Sequence, residues 1–382
     1  MRLRSRVRCL GAVKLALLGW FSVLLLAGCF TGPTKPDPTP LEPLTPRVAG
    51  RQVWKHRVGK VDFPLSVAVN GSQFTLASDD GTVTALLADN GKELWSTDVG
   101  TKLSAGVGSD GRFASVVTQD NELVTLDNGK LAWRKQLPSR VTTAPLVAGE
   151  RVFVLGVDRS VQAFDVLDGR KLWTFLRPSD ALTLSKPGVI AAFKDTLLVG
   201  QGAKLAGLDP LKGSLRWEAT LASPRGTNEV ERLADLLAPA TRVGDIVCAR
   251  AFQSAVACVN AERGSLVWTR NTGGVDGIGA DDQMVVGADA SDRLTAWRAA
   301  DGTVAWTVDK LLYRDLSAPL GVGKTFVVGD IEGMVHWLSR DAGEPVLRLP
   351  TDGSPIRVAP VAAGLTLLVV TRDGGAFAFR PE

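Results

Sequence analysis

The sequence predicts an all-β fold, an eight-bladed β-propeller of four-stranded blades, and three observations carry that prediction. A Gly-x-x-x-Trp signature recurs at Gly91/Trp95, Gly129/Trp133, Gly169/Trp173, Gly213/Trp217, Gly264/Trp268 and Gly302/Trp306, with a degenerate copy at Gly343/Leu347. Starting from Trp54, which holds the same position without a preceding half-repeat, the spacings are 41, 38, 40, 44, 51, 38 and 41 residues. Between these positions lie three short alternating strands, such as 144–147, 152–155 and 161–164, separated by turns such as Asp158-Arg159-Ser160. Four strands in each such interval is the period of a propeller blade.

The N-terminus precedes the fold. Arg2, Arg4, Arg6, Arg8 and Lys14 form a basic region, residues 15–26 are mostly apolar, and Leu26-Ala27-Gly28-Cys29 follows. Small residues before a cysteine, after an apolar run this short, read as a lipoprotein signal peptide over residues 1–28. Cleavage leaves Cys29 as the lipidation site. Several acyl chains on one residue anchor stably, whereas one chain binds a membrane only marginally. Phe30 occupies the second mature position, where an aspartate would signal inner-membrane retention, so the expected location is the outer membrane, facing the periplasm. Residues 29–50 carry Pro33, Pro36, Pro38, Pro40, Pro43 and Pro46 and read as an extended tether with almost nothing to bury.

Residues 51–382 are the propeller. Eight outer strands (at 54, 95, 133, 173, 217, 268, 306 and 347) face eight three-strand sets, the last running over 358–379. That last set lacks an outer strand, and 52–58 is an outer strand without a set. Joined, they close the ring and leave no open edge. The glycine of each signature serves the turn into the outer strand, and Trp54, Trp95, Trp133, Trp173, Trp217, Trp268 and Trp306 are expected to pack between blades. Cys248 and Cys258 flank a hairpin turn near Gln253-Ser254. A two-residue turn puts them on opposite faces and a three-residue turn sets them opposite each other, where they can bond.

Composition excludes several functions. The chain has 44 basic and 40 acidic residues, but five basic ones leave with the signal, so the mature part is nearly neutral and no basic patch points to nucleic acid. There are only two histidines, His56 and His336, and one tyrosine, Tyr313, with no metal-spaced cysteine pair. No catalytic constellation, metal site or cofactor is expected. The stretch from Ala318 to Lys324-Thr325 imitates a phosphate loop, but a strand follows it where that chemistry needs a helix. Asp330 and Glu332 near His336 read as turn-setting residues.

The repeat breaks in its longest interval, between Trp217 and Trp268. Residues 230–237, Val-Glu-Arg-Leu-Ala-Asp-Leu-Leu, mix charge with leucines that a regular blade does not require. One blade earlier, Leu182-Thr183-Leu184-Ser185 lies in the corresponding connection. Loops offering leucines beside Glu231, Arg232 and Asp235 read as a partner-binding surface with apolar anchors and charged orienters.

These stretches carry a family resemblance. Residues 229–235, Glu-Val-Glu-Arg-Leu-Ala-Asp, resemble the Glu-Ile-Asp-Arg-Leu-Ser-Asp of the BamB family, the propeller lipoproteins of the bacterial β-barrel assembly machinery. Residues 311–319 and 329–337 resemble two further segments of that family. The resemblance implies a non-catalytic scaffold that binds the POTRA domains of BamA, the barrel-inserting subunit, and assists insertion of outer-membrane proteins, with unfolded clients as further partners. The family's contact loops, Leu-Ser-Leu-Arg and Asp-Arg-Leu-Ser-Asp-Val-Asp, map onto Leu182–Ser185 and onto Glu231, Arg232, Leu233, Ala234, Asp235, Leu236 and Leu237. Ser185 and Leu237 stand where the family carries charges.

Two other readings compete. Quinoprotein dehydrogenases that use pyrroloquinoline quinone share the Ala-x-Asp-x-x-x-Gly-x-x-x-Trp repeat seen from Ala163 to Trp173, but their adjacent cysteines and calcium site do not appear here. A propeller binding another envelope component is the third.

Overall fold

Each repeat folds as one antiparallel four-stranded sheet. In the computed structural model, which describes residues 36–177, 182–224 and 226–381, the strands group into eight such sheets, each in consecutive order except the last. Seven blades follow one another along the chain, spanning 68–98, 103–136, 146–175, 190–220, 236–271, 279–308 and 320–350. The eighth takes three strands from 361–381 and its outer strand, Gly50–Arg57, from the other end of the chain. Gly50 pairs with Pro381 and Arg57 with Gly375 along that seam. An antiparallel ladder between the two ends satisfies backbone groups that an open ring would expose at its last edge.

The recurrent glycine and tryptophan meet across blades, not within one. Gly91 sits on the Trp54 ring, Gly213 on Trp173 and Gly302 on Trp268; a Cβ at these glycines would lie 2.6, 2.5 and 2.6 Å from the indole. Each also has a positive φ (68°, 71° and 70°), so one residue type meets two demands at once. The indole N–H donates to a carbonyl of the same neighbouring blade, from Trp54 to Ala88 O at 2.8 Å and from Trp268 to Ala299 O at 2.8 Å. The outer strand carries a β-bulge beside the tryptophan, as where Ala85 pairs with Trp95 and Leu86 with Glu93. The skipped residue turns the side chains so that the indole faces the next blade. Trp54, Trp133, Trp268 and Trp306 are buried, whereas Trp95, Trp173 and Trp217 are half-buried.

The eighth blade repeats the signature without the half-repeat that precedes it in the other blades. Gly50 lies four residues before Trp54, and a Cβ there would lie 2.9 Å from Leu347 Cδ2, the residue standing in for a tryptophan in blade seven. The pairing around the ring is therefore complete, with Leu347 buried in the tryptophan's place.

Blade five resolves the cysteine question. Ala251 pairs with Ala255, which leaves a three-residue turn, so Cys248 pairs with Cys258 directly across the hairpin. The two form a disulfide with Cα atoms 4.0 Å apart. It packs in the blade five–blade six interface with Trp268, Ile278 and Trp297. A Cys248→Ala, Cys258→Ala variant is expected to keep the fold and lose roughly 2–3 kcal/mol of unfolding free energy, the loop-closure contribution of so short a ring. Urea unfolding of the oxidised wild type and the variant checks this.

The proline-rich segment is less free than its composition implied. From Pro38 onward it belongs to the same compact unit as the propeller. Thr39 N–H donates to Leu312 O at 3.0 Å and Arg47 N–H to Val346 O at 2.8 Å. Arg314 and Arg348 donate to Thr39 O and Glu42 O, at 2.8 and 3.0 Å. Leu41 packs against the cluster holding Leu311, Leu316 and Phe326. Extended backbone enforced by proline leaves its N–H and C=O groups without local partners, and blades six and seven supply them.

Candidate functional site

Connections between blades and the turns from second to third strand lie on one face of the ring, and there the two sequence-predicted loops meet. Asp235 joins them. Its Oδ2 accepts the Leu184 N–H at 2.9 Å, and its Oδ1 accepts from Arg159 Nη2 at 2.9 Å. The same Arg159 nitrogen donates to Leu182 O at 3.2 Å. Asp235 O takes the Phe252 N–H at 3.0 Å, which ties the pair to blade five. Arg159 and Asp235 are 15% and 17% exposed, shielded enough for the ion pair to hold geometry and not merely decorate the surface. Arg159 sits in a positive-φ turn of blade three, 76 residues from its partner. Nothing in the linear pattern marked it.

Each remaining candidate has its own setting. Leu182 is 40% exposed and Val230 67%, while Leu184 and Leu233 are half-buried and Ser185 is exposed. Arg232 is exposed and has no hydrogen bond or ion pair among the described residues. Glu231 turns inward on its own loop. Its Oε2 accepts the Thr227 N–H at 2.7 Å and the Thr227 hydroxyl at 3.1 Å, and its Oε1 accepts Asn228 Nδ2 at 3.0 Å. Those donors, the Thr227 N–H foremost, hold its carboxyl below the usual range. Asn228 in turn accepts the Glu231 N–H at 2.9 Å, a reciprocal lock of the capping-box kind.

Leu237 corrects the sequence-based expectation. It belongs to the first strand of blade five, Leu236–Val243, and is 2% exposed. A propeller sheet is covered by a neighbour on each face, so a leucine inside the strand is core and offers nothing to a partner. Cys29 lies outside the described residues.

Lys186, also unmarked in the sequence, continues the site toward blade six. Its ammonium donates to Val275 O and to Asp276 Oδ1, the latter at 3.1 Å. Ser185, Lys186 and Pro187 stand at the wall of the central channel, a cavity of about 870 Å³ that also meets Asp62, Arg357 and Arg372. Among the described residues no group of three His, Cys, Asp or Glu could hold a metal ion.

Two further stretches singled out in the sequence also come together. Arg314, from 311–319, donates from Nε to Asp330 Oδ2 at 2.7 Å and from Nη2 to Glu332. His336 Nε2 lies 2.9 Å from the same Asp330 oxygen, and Arg348 Nε reaches His336 Nδ1 at 3.4 Å. Asp330 and His336 are fully buried and Arg314 nearly so. Asp330 also accepts the Glu332 and Met334 N–H groups, the turn-setting role read from the sequence.

Residues 79–308 match the family described as outer membrane protein assembly factor BamB. A BamB of Burkholderia pseudomallei is 36% identical over 366 residues, covering 94% of this chain and 96% of that protein. The chain belongs to the BamB family. A BamB crystal structure from Moraxella catarrhalis superposes with a TM-score of 0.78 at 21% identity, covering 87% of this chain and 99% of that one. At that identity the likeness speaks for the fold. A quinohemoprotein alcohol dehydrogenase from Comamonas testosteroni gives 0.64 at 14% identity, over 88% of this chain and 78% of that one. That too is a likeness of fold, and it carries no quinone chemistry to this BamB family member.

Proposed function

We propose that the chain is a non-catalytic scaffold of outer-membrane protein assembly, anchored to the outer membrane through an acylated Cys29 and facing the periplasm, which binds the POTRA domains of BamA through the 182–187 and 226–235 loops. The observation that carries this reading is the Asp235 clamp. Two loops from successive blade connections are fastened into one surface by a charge that serves both. Family membership supports the assembly role, since the relatives are named for it.

The clamp divides the candidate residues by role. Leu182, Leu184, Val230 and Leu233 are the apolar anchors, and Arg232 and Ser185 the polar contacts. Asp235 and Glu231 act as positioning residues, because their oxygens are already engaged within the protein. A closed ring of interlocked sheets holds such a surface at a fixed angle, which suits a part that orients modular domains.

A Leu182→Asp, Arg232→Glu variant is expected to melt like the wild type and to lose at least ten-fold in affinity for BamA, since both changes fall on exposed side chains. Co-purification from membranes and titration against BamA check it. Undiminished binding by a folded variant discards this surface.

A further inference from the structure

The proline-rich strap lies in one inter-blade groove, and a second groove of the same construction stands open. Between blades six and seven, Leu41 of the strap packs on Leu311, Phe326, Leu338 and the half-buried Val308. The strap starts at the connection beyond blade six, where Thr39 N–H meets Leu312 O, and ends on the outer strand of blade seven, where Arg47 N–H meets Val346 O. Its charges are matched on the way, Glu42 by Lys310 at 3.4 Å and Arg47 by Glu344 at 2.5 Å.

The blade two–blade three interface has the same parts in the same register. Trp133 stands for Trp306 and Phe164 for Leu338; Phe164 pairs with Lys171 as Leu338 pairs with Pro345. Lys135 stands for Val308. Their Cε and Cγ2 atoms would lie 2.9 and 2.8 Å from a Cβ on the facing glycines, Gly169 and Gly343. Among the described residues no strap covers this interface. An open groove of about 750 Å³ runs from Leu137 and Pro138 to Arg170 and Lys171, with Phe164 in its wall. Gln162, at the place of His336, also lines it, is 5% exposed and carries no side-chain hydrogen bond among the described residues. A buried amide without partners is costly, and a backbone lying in the groove would supply them. His336 already has Asp330 and Arg348.

Charge decides what kind of chain fits. Lys135 and Lys171 are exposed and have no side-chain hydrogen bond or ion pair among the described residues. Arg170, also exposed, reaches Asp165 Oδ2 only at 3.8 Å. The acid on the rim, Asp168, takes the Arg170 N–H at 2.8 Å and sets the turn. Arg170 follows Gly169 as Glu344 follows Gly343, so the position that accepts Arg47 of the strap carries the opposite sign here. A strap from a second copy would meet repulsion there, and a carboxylate in place of Arg47 would meet attraction.

We propose that the blade two–blade three groove binds an extended segment of another protein, one that sets an apolar side chain on Phe164 and, at the Leu41-to-Arg47 spacing of the strap, a carboxylate between Arg170 and Lys171. The groove is preformed, so binding orders only the incoming chain, and prolines in that chain lower the cost further.

The probe is a peptide with the sequence of residues 38–47 and the change Arg47→Glu. It is titrated against the full chain and against a Lys135→Glu, Arg170→Glu, Lys171→Glu variant. All three side chains are exposed, so the variant is expected to melt like the wild type. The wild type is expected to bind the probe saturably and the variant about ten-fold or more weakly, because like charges then face each other. The unaltered 38–47 peptide should bind the wild type more weakly than the probe does. A Leu41→Asp form of the probe should lose binding, a check that needs no altered protein. A photo-cross-linker at the leucine position should label residues 135–138 or 162–171. Absent binding, equal binding by wild type and folded variant, or labelling confined to the strap's own groove overturns the proposal. A concentration-dependent dimer of the wild type that the variant lacks assigns the groove to a second copy, and overturns it too.

Discussion

Replacing Trp268 with alanine is expected to cost about 3–5 kcal/mol of unfolding free energy, the range for removing a buried aromatic side chain from a packed interface. Trp268 is 6% exposed and pairs across the sheet with Cys258 of the disulfide. Its indole N–H donates to Ala299 O of blade six at 2.8 Å, and its ring is the floor on which Gly302 rests. Truncation therefore removes apolar area, one inter-blade hydrogen bond and the support of a turn that only glycine fits. The loss should appear as a lower urea midpoint with an unchanged slope, because the ring still unfolds as a unit. A change near zero would mean that the blade five–blade six contact does not depend on the indole. Trp173, half-buried in its own interface, should lose less in the same assay.

Asp330→Ala is the second large effect. The carboxylate is fully buried and holds Arg314 at 2.7 Å and His336 at 2.9 Å, with two backbone N–H groups besides. Removing it leaves the buried Arg314 Nε–H, the His336 ring and two turn N–H groups without their acceptor, while Glu332 still pairs with Arg314 Nη2, so a cost of about 3–5 kcal/mol is expected. The strap follows, because Arg314 is what grips Thr39 O. Amide exchange over residues 38–47 should quicken in the variant while distant blades keep their protection.

The pH dependence has a definite sign. Burial pushes the Asp330 carboxyl up, but the His336 hydrogen bond and charge, the Met334 N–H and Arg314 outweigh it and leave it below the usual range. Burial pushes the His336 imidazole down, Asp330 opposes, and the charges of Arg348 and Arg314 push it further down. Both groups thus bind protons more weakly when folded than when unfolded. Their stabilisation is present above the unfolded values and is lost on acidification, starting as the pH falls below about 6.5 for the histidine and later, in the acid range, for the carboxylate. A His336→Gln variant should flatten the first decline. A neutral imidazole also fits the bonding, with Nε2–H donating to Asp330 and Nδ1 accepting from Arg348.

Much of the ring was legible because propeller order is local order repeated. Each Gly-x-x-x-Trp turn states its own geometry, and eight copies state the closure. Gly50 escaped notice because the half-repeat before it is replaced by the proline-rich segment, leaving no copy to align. The loop residues were legible by kind but not by role. Asp235 reads as an exposed orienter until Arg159, far away in the chain, is seen beside it. Leu233 and Leu237 look alike on paper, yet only the second lies inside a strand flanked by sheets on both faces.

What the sequence determined by itself is the periodic part: blade number, strand order and the seam between the chain's ends. Those follow from patterns that each short segment carries within itself. Only the tertiary structure decided the pairings between distant positions, namely the Asp235 clamp, the strap on Arg314 and Arg348, and the disulfide register. Ion pairs and strap contacts depend on which blade a side chain faces, and that direction is set by the curvature of the closed ring, which no single repeat records.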